Sequence, residues 1–376
     1  MIDLDAQATT PIAPQALAAM LPWLERQHWN PHSAHRGGRM AKAALEAARV
    51  QVAGLLGAEP GGLIFTSGAT EANNLALKGM LAEREGPRRR LVTFATEHSC
   101  VLETALHLER LGVPITILAV LADGMPDLAA LNAALGPDVA LVSAMRVNNE
   151  IGSIWPSAEL AAMAHKVGAA FHCDAAQGFG KMDCRLDSGL AGADLVSLSA
   201  HKMHGPKGIG ALWVRPGLRL SPLLDGGGQE GVRSGTQSPA LAAGFGAAAR
   251  LSEARMKPDL AHVQALQRIA LQALAGVAYH INGPEGDDRW PGNMSVSFPG
   301  VDSGRLISAL PELAFSSGAA CSSGSGRPSH VLAALGLSGL QLRSTVRLGF
   351  GRANTTDEIQ AAFQAIATTV QRMQNQ

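Results

Sequence analysis

The sequence lacks an excess of charge of either sign. Its 376 residues contain 31 lysines and arginines against 31 aspartates and glutamates, so the formal net charge is zero. No basic stripe interrupts this balance, and the composition therefore predicts neither a nucleic-acid partner nor binding to a membrane surface. An apolar run of about 18 residues, which a membrane-spanning helix would need, is also missing. We expect no membrane segment.

Cysteine is scarce as well. The four cysteines (Cys100, Cys173, Cys184 and Cys321) are widely spaced, and no two of them form a CxxC motif. This spacing argues against a disulfide framework and a structural zinc site, and it favours a reducing compartment. Residues 1–5 carry acidic side chains where a signal peptide would have basic ones. We therefore expect a cytoplasmic protein.

Short apolar runs alternate with helical patterns through the first half of the chain. The runs lie at 63–66, 91–96, 115–120, 139–145, 169–173, 194–200 and 210–214. The helical patterns lie at 16–23, 41–56, 71–83, 101–111, 128–135 and 157–167. Strands and helices that alternate at this spacing predict an α/β architecture with a mainly parallel sheet covered by helices.

The pattern changes after about residue 255. A long helix is followed by predicted strands at 294–298, 314–316 and 345–350 and by predicted helices at 304–310 and 331–335. A last helix follows, with Thr355 or Thr356 as its cap and Glu358 in its first turn. We expect a large domain over 15–255 and a smaller α+β domain formed by 1–14 and 256–376.

Lys202 follows the strand predicted at 194–200, at the strand's carboxyl end. In open parallel sheets, ligands bind beyond these ends. A lysine in that position is poorly solvated, which favours the neutral amine over the ammonium ion. A neutral amine can form a Schiff base with an aldehyde cofactor. The alternative is a surface lysine that begins a loop.

Two further strand ends carry residues that suit a phosphorylated ring. The run Ser-Gly-Ala-Thr-Glu at 67–71 leads into a helix, whose free N–H groups favour a phosphate. An ordinary helix cap would look the same. Glu97 and His98 end the next strand, and the His98 imidazole could stack on a planar ring or serve only as a hydrogen-bonding group.

The next two strand ends carry amides and a carboxylate. Asn148 and Asn149 could donate to a phenolate or carboxylate oxygen, although asparagine is also a common turn residue. Asp174 emerges from a buried strand and needs a cationic partner, which a protonated pyridine nitrogen or a structural ion pair would supply. Taken together, the strand ends predict pyridoxal phosphate bound to Lys202.

The smaller domain contains a thiol in a loop of about 316–328. Small residues surround Cys321, so we expect the backbone to be mobile and the thiol to carry a group between two places. An incidental cysteine in a linker is the alternative. Arg347, in the strand at 345–350, has the geometry to bind a substrate carboxylate. We expect the other three cysteines to be structural.

The chain resembles the cysteine desulfurases of the NifS/IscS-like group, which lie in the class V aminotransferase branch of the fold-type I pyridoxal enzymes. The resemblance covers nearly the whole chain. Its motifs are Ala-Thr-Thr-Pro at 8–11, Thr-Ser-Gly-Ala-Thr-Glu at 66–71, Thr-Glu-His at 96–98, Val-Asn-Asn-Glu-Ile-Gly at 147–152, Asp-Ala-Ala-Gln at 174–177, Ser-Ala-His-Lys at 199–202, Arg-Ser-Gly-Thr at 233–236 and the run at 316–323.

This resemblance implies a pyridoxal phosphate cofactor and a role for each matching residue. Lys202 would bind the aldehyde, His98 would stack on the ring and Asp174 would pair with the ring nitrogen. Asn149 and Gln177 would contact the ring oxygen. The phosphate would be held by Ala69, Thr70, Ser199 and His201, and Thr236 would reach the phosphate of the partner subunit in a homodimer with shared active sites.

The resemblance also implies the substrate and the reaction. Arg347 and Asn149 would hold the carboxylate of L-cysteine, and Lys202 or His98 would move protons. Cys321 would attack the substrate sulfur, leaving L-alanine and a persulfide. The sulfur would then pass to an acceptor protein for iron–sulfur clusters or other sulfur-containing cofactors. Relatives that serve an iron–sulfur scaffold often have a longer tail than this chain, which leaves that partner open.

Three other functions stay open at this point. Selenocysteine lyase, or another class V lyase or aminotransferase, would keep the cofactor and change the chemistry. The run at 226–231 matches GxGxxG, which could indicate a dinucleotide-binding oxidoreductase, although no helix pattern follows it directly. His201 and His204 could belong to a metal site, although no third ligand has suitable spacing.

Overall fold

A computed structural model describes residues 1–84, 86–229, 231–318 and 329–375. A π-helical turn, Leu75–Gly79, joins the third helix to the fourth. The α-helices are α1 (Pro14–Glu25), α2 (Arg36–Leu56), α3 (Ala69–Asn74), α4 (Met80–Ala82), α5 (Ser99–Arg110), α6 (Leu128–Ala134), α7 (Ser157–Lys166), α8 (Pro239–Leu274), α9 (Ser303–Ala309), α10 (His330–Ala334), α11 (Gly339–Arg343) and α12 (Thr356–Gln374).

The strands form one large sheet and three smaller ones. They are β1 (Ile2–Asp3), β2 (Leu63–Thr66), β3 (Arg90–Phe94), β4 (Ile115–Leu118), β5 (Val139–Met145), β6 (Ala170–Asp174), β7 (Leu195–Ser199), β8 (Gly210–Val214), β9 (Gly228–Gln229), β10 (Arg233–Ser234), β11 (His280–Ile281), β12 (Asn293–Ser297), β13 (Leu313–Ala314), β14 (Ser316–Ser317) and β15 (Thr345–Gly349).

The large sheet has seven strands in the order β2-β8-β7-β6-β5-β3-β4. Strands β3 to β7 pair in parallel, and β8 runs antiparallel to both of its neighbours. Every residue of β5, β6, β7 and β8 is buried, as expected for strands covered by helices on both faces. The predicted α/β class and mainly parallel sheet are confirmed.

The structure departs from the predicted elements where strands are very short. The strand predicted at 314–316 is wrong in extent, because β13 pairs with β1 while β14 pairs with β15. The segment at 216–239, for which the sequence pattern indicates no strand, contains the antiparallel pair β9 and β10. Two-residue strands have no periodicity that a sequence pattern could display. The predicted cap Thr355 is confirmed, with a reciprocal bond between Thr355 and Glu358.

Two large hydrophobic cores share the helix α8. One core lies between the seven-stranded sheet and a helical layer that includes residues of α1, α2 and α8. The other lies between β12, β15 and α12 and contains residues of the second half of α8. With 36 residues, α8 is about 54 Å long, which allows it to reach both cores. None of the helices in the described ranges has the length and apolar character needed to cross a bilayer.

The first residues of the chain run from the second core to the carboxyl edge of the seven-stranded sheet. Leu4 belongs to the second core, and the Thr10 N–H donates to the His201 carbonyl 2.9 Å away. The Ala13 N–H donates to the His204 carbonyl at the same distance. Residues 7–9 therefore lie beside the strand ends that the sequence singled out.

Close packing at this edge depends on Gly210, the first residue of β8. A Cβ atom on Gly210 would lie 2.4 Å from the Leu198 carbonyl oxygen and 2.8 Å from the Gly68 Cα. Both are backbone atoms, so no side chain can move to make room. The absence of a side chain at Gly210 lets β8 approach the turn that begins α3.

We expect Gly210→Ala to lower the free energy of unfolding by roughly 1–3 kcal/mol, because the added methyl group overpacks the backbone. Gly54→Ala is the control. Gly54 is exposed in α2 with no atom near its Cβ position, so the substitution should stabilise the helix by about 0.5–1 kcal/mol. Denaturant unfolding of the two variants measures both effects, and wild-type stability in Gly210→Ala would contradict the packing argument.

Candidate active site

A cavity of about 790 Å³ opens at the carboxyl edge of the seven-stranded sheet. The parallel strands deliver their last residues to this edge, and the segment at 7–9 and β15 close the cavity from the other core. Ten of the twelve site residues predicted from the sequence line it: Ala69, Thr70, His98, Asn149, Asp174, Gln177, Ser199, His201, Lys202 and Arg347. Their roles stay predictions.

The remaining two predicted residues lie elsewhere. Thr236 lines a separate cavity of about 170 Å³, together with Ser67 and Arg233. Within this single chain, Thr236 is therefore not among the residues lining the large cavity. Cys321 lies outside the described residues.

One end of the cavity offers donors for an anion. Helix α3 begins at Ala69, and the first turn of a helix has N–H groups with no intrahelical acceptor. Glu71 stabilises this turn because it accepts from the Ser67 N–H at 2.7 Å and from the Arg233 Nε at 2.9 Å. Burial alone would raise the pKa of Glu71, but the bonds from Arg233 and Ser67 hold it below the usual value. Glu71 is thus an ionised support of the turn.

Ser199 and His201 complete this end. The Ser199 hydroxyl oxygen is buried and has no hydrogen-bond partner among the described residues, an arrangement that costs free energy unless a ligand satisfies it. The His201 Nδ1 lies 3.1 Å from the Thr9 hydroxyl. Burial, together with the positive charge of neighbouring lysines, lowers the pKa of His201 to about 4, so the imidazole is neutral. Both side chains can therefore donate to a phosphate.

Lys202 lies deeper in the cavity as an amine without a partner. Within the described part of the chain, its Nζ makes no hydrogen bond and no ion pair. Burial lowers the pKa of Lys202, Arg347 lowers it further, and the negative charge of Asp174 opposes the shift. The direction of this pKa shift confirms the prediction that burial favours the neutral amine of Lys202.

Asp174 is the last residue of β6 and is 7% exposed. Its Oδ2 accepts from the Asn73 Nδ2 at 2.7 Å, and its Oδ1 accepts from the Ala176 N–H at 2.9 Å. Two N–H donors suit an ionised carboxylate. Burial and the charge of Asp174 raise the pKa of Glu97 well above its usual range. Of these two carboxyl groups, Glu97 therefore holds the proton.

His98 caps the helix α5, and this contact fixes its tautomer. The Cys100 N–H donates to the His98 Nδ1 at 3.2 Å, which assigns the proton of the neutral ring to Nε2. Burial and the charge of Lys202 lower the pKa of His98, although Asp174 acts in the opposite direction. His98 is thus a neutral imidazole that can donate a hydrogen bond from Nε2.

Arg347 lines the cavity from β15 and is 6% exposed. One of its terminal nitrogens donates to Asp5 at 2.8 Å and to Ser316 at 3.3 Å, and the other donates to the Asn149 carbonyl at 3.3 Å. Its Nε is buried and has no partner among the described residues. These three bonds hold the guanidinium in place, and they leave two of its five N–H groups without an acceptor in the described part of the chain.

The structure adds residues that the sequence did not single out. Asp5 pairs with Arg347, Asn73 donates to Asp174, and the Lys181 Nζ lies 3.2 Å from the Gln177 Oε1. Cys100, predicted to be only structural, lines the cavity, with its Sγ 3.1 Å from the His98 Nδ1. Two of these four pairs, Asp5 with Arg347 and Asn73 with Asp174, join residues far apart in the sequence, so no short motif contains them.

Two of the alternative functions find no support. The GxGxxG run at 226–231 contains β9, which pairs with β10 a few residues further on, and it does not form the turn that opens a helix in the dinucleotide fingerprint. Among residues 1–84, 86–229, 231–318 and 329–375, no group of three potential ligands is placed to hold a metal ion, so His201 and His204 lack a third ligand there.

The lining fits pyridoxal phosphate. An orphan hydroxyl and a helix start lie at one end, a carboxylate lies at Asp174, and an amine without a partner lies at Lys202. These groups match the phosphate, the pyridine nitrogen and the aldehyde of that cofactor in kind. Ser199 is the most specific of these observations, because its buried hydroxyl has no partner in the described part of the chain and a phosphate would supply one.

Lys181 provides a test of how much a positive charge near this cavity lowers the stability of the protein. Burial and the charge of Lys202 lower its pKa from 10.5 to about 7, so the cost of its charge is complete below pH 7 and fades as the pH rises towards 10.5. Lys181→Met should therefore stabilise the apoprotein by an amount on the order of a few kcal/mol at pH 6.5 and by less at pH 9. Urea unfolding at the two pH values measures the difference, with the exposed Lys42→Met as the control. An equal gain in the free energy of unfolding at the two pH values would contradict the lowered pKa of Lys181.

Comparisons with known proteins agree with the site. The family model described as "Aminotransferase class-V" matches residues 2–362. A Saccharomyces cerevisiae protein named "Cysteine desulfurase, mitochondrial" is 44% identical over 373 residues, which cover 98% of this chain and 75% of that protein. A Rickettsia bellii protein named "Cysteine desulfurase IscS" is 42% identical over 380 residues, which cover 100% of this chain and 92% of that protein.

A structural comparison gives the same result. A solved structure called "NIFS-LIKE PROTEIN" superposes with a TM-score of 0.92 at 31% identity and covers 99% of both chains. The fold-type I architecture and the predicted resemblance are confirmed, and enzymes of this kind depend on pyridoxal phosphate. The chain belongs to the class V aminotransferase family and, within it, to the cysteine desulfurases.

Proposed function

We propose that the chain is a pyridoxal-phosphate-dependent cysteine desulfurase that converts L-cysteine to L-alanine and leaves a persulfide on Cys321. The observation that carries this proposal is the composition of the large cavity. It combines an amine without a partner at Lys202, a buried carboxylate at Asp174 and a guanidinium with a free N–H at Arg347. The names of the relatives from Saccharomyces cerevisiae and Rickettsia bellii support the substrate.

The cofactor would be held along the strand ends. Ala69, Thr70, Ser199 and His201 bind its phosphate, and Lys202 binds its aldehyde. Asp174 keeps the ring nitrogen protonated, while Asn149 and Gln177 contact the ring oxygen. When bound, pyridoxal phosphate supplies an electron-withdrawing ring that stabilises negative charge on the amino acid.

The substrate would enter beside Arg347. The guanidinium binds the substrate carboxylate together with Asn149, and Asp5 keeps it in place. His98 stacks on the cofactor ring and can donate a hydrogen bond from Nε2, while the Lys202 amine can accept a proton and return it. The low pKa of His98 keeps its Nδ1 free to accept the Cys100 N–H throughout.

Cys321 would take the sulfur. Its thiolate attacks the substrate sulfur, the new S–S bond forms as the C–S bond breaks, and the electron pair of that C–S bond remains on the alanine fragment, which then takes up a proton. The flanking residues support this role. Ser316 lines the cavity, and the His330 Nε2 donates to the Glu97 carbonyl at 2.8 Å.

Three further parts of the proposal concern the whole protein. The two hydrophobic cores correspond to a large domain over 15–255 and a small domain formed by 1–14 and 256–376. The protein is a homodimer in which Thr236 reaches the phosphate site of the partner. It works in the cytoplasm, where the free thiols of Cys100, Cys173 and Cys184 stay reduced, and it passes sulfur to an acceptor protein such as an iron–sulfur scaffold.

The defining test is to mix the protein with L-cysteine and a reductant and to measure sulfide and alanine. We expect equal amounts from the wild type, and a loss of both in Cys321→Ala with the visible absorbance of the cofactor unchanged. Cys184→Ala, which removes a buried thiol outside the cavity, is the matched control and should keep activity. Cofactor absorbance without sulfide would contradict the proposal and direct the search to other amino acids, selenocysteine first.

Arg347→Lys tests the binding of the substrate carboxylate. Lysine keeps the charge but not the flat fork of N–H donors, so we expect the KM for L-cysteine to rise roughly tenfold or more, with a smaller change in kcat. The cofactor absorbance should not change. Arg343→Lys, an exposed arginine at the end of α11, should leave KM at the wild-type value. An unchanged KM in Arg347→Lys would rule out this role.

A further inference from the structure

Asn73 lies behind the cavity wall, between two residues that line it. It is fully buried at the end of α3. Its Nδ2 lies 2.7 Å from the Asp174 Oδ2 and 3.1 Å from the Cys100 Sγ. Its Oδ1 is buried and has no partner within residues 1–84, 86–229, 231–318 and 329–375. Burying a half-satisfied amide costs free energy, so an apolar residue would serve packing better at this position.

The backbone around Asn73 is also unusual. The helix changes from α3 to a π-helical turn directly after Asn74, at Leu75. Such turns carry an extra residue that changes the direction of neighbouring side chains, and they are frequent at functional sites. The adjacent Asn74 makes only a local bond from its Nδ2 to the Thr70 carbonyl at 3.0 Å. Of the two neighbouring asparagines, Asn73 is therefore the one that faces Asp174.

Cys100 connects Asn73 to a further residue that lines the cavity, His98. Its Sγ lies 3.1 Å from the Asn73 Nδ2 and 3.1 Å from the His98 Nδ1. Burial and the charge of Asp174 raise the pKa of Cys100 to about 12, so its side chain is a neutral thiol. Asp174, Asn73, Cys100 and His98 thus form one continuous line of polar contacts, with Asn73 and Cys100 as the inner members.

We propose that Asn73 is a positioning residue that fixes the Asp174 carboxylate at the angle at which it faces the ring nitrogen of the cofactor. Asn73 does not line the cavity and acts only through Asp174. Without it, Oδ2 of Asp174 loses its donor, while Oδ1 keeps the Ala176 N–H. With only one hydrogen bond left to hold it, the carboxylate can rotate, and its contact with the ring nitrogen weakens. This inference rests on the proposed cofactor site, but not on the fate of the substrate sulfur.

The test compares the affinity of the apoprotein for pyridoxal phosphate, followed by its visible absorbance, in Asn73→Ala and Asn73→Leu. We expect binding to weaken roughly tenfold to a hundredfold, since a hydrogen bond to a charged group is lost. The pH midpoint of the absorbance should also shift. Asn74→Ala is the matched control on the adjacent residue and should stay within about threefold of the wild type. The melting temperature of each apoprotein is measured alongside.

A double-mutant cycle separates positioning from packing. In the Asp174→Ala background, the further change Asn73→Ala should alter the affinity by less than about twofold, because the carboxylate it positions is gone. The proposal is overturned if Asn73→Leu binds like the wild type, or if Asn73→Ala costs as much without Asp174 as with it.

The two hypotheses fail in different ways. A wild-type apoprotein that does not bind pyridoxal phosphate would contradict the proposed function. A wild type that binds the cofactor, with Asn73 variants that bind it equally well and keep the same pH midpoint, would leave that function standing and remove the role of Asn73.

Discussion

One buried carboxylate, Asp174, acts on four titratable groups in or next to the cavity. Burial is the largest cause of the pKa shift in each of them. The charge of Asp174 adds to burial at the two acids, Glu97 and Cys100, and raises their pKa further. At the two bases, His98 and Lys202, the same charge limits how far burial lowers the pKa. One negative charge therefore helps the acids to keep their protons and keeps the bases able to accept one.

This arrangement is a consequence of a parallel sheet. Because β5, β6 and β7 run in the same direction, Met145, Asp174 and Ser197 lie side by side at one edge, and Ser199 and Lys202 follow two and five residues beyond Ser197. The opposite wall comes from the other core, through Arg347 on β15 and the segment that contains Asp5 and Gln7. The site therefore requires that both cores be folded.

The sequence predicted the parts of this site that lie at strand ends, because one rule about parallel sheets applies to all of them. It did not predict the contacts that link distant segments. Asn73 meets Asp174 across 101 residues, and Arg347 meets Asp5 across 342. A hydrophobic pattern reports which face of an element is buried, and it contains no information about which polar group will lie opposite. The π-helical turn after Asn74 was missed for a similar reason, since its residues read as an ordinary helix.

The length of α8 has a mechanical consequence. The helix contributes Ala242 and Ala249 to one core and Val263 and Leu274 to the other, and Pro258 lies between these two groups. Proline removes one helical hydrogen bond, so α8 bends most easily between the residues that pack in the first core and those that pack in the second. Pro258 thus lies in the segment of α8 that joins the core behind the strand ends to the core that contains β15.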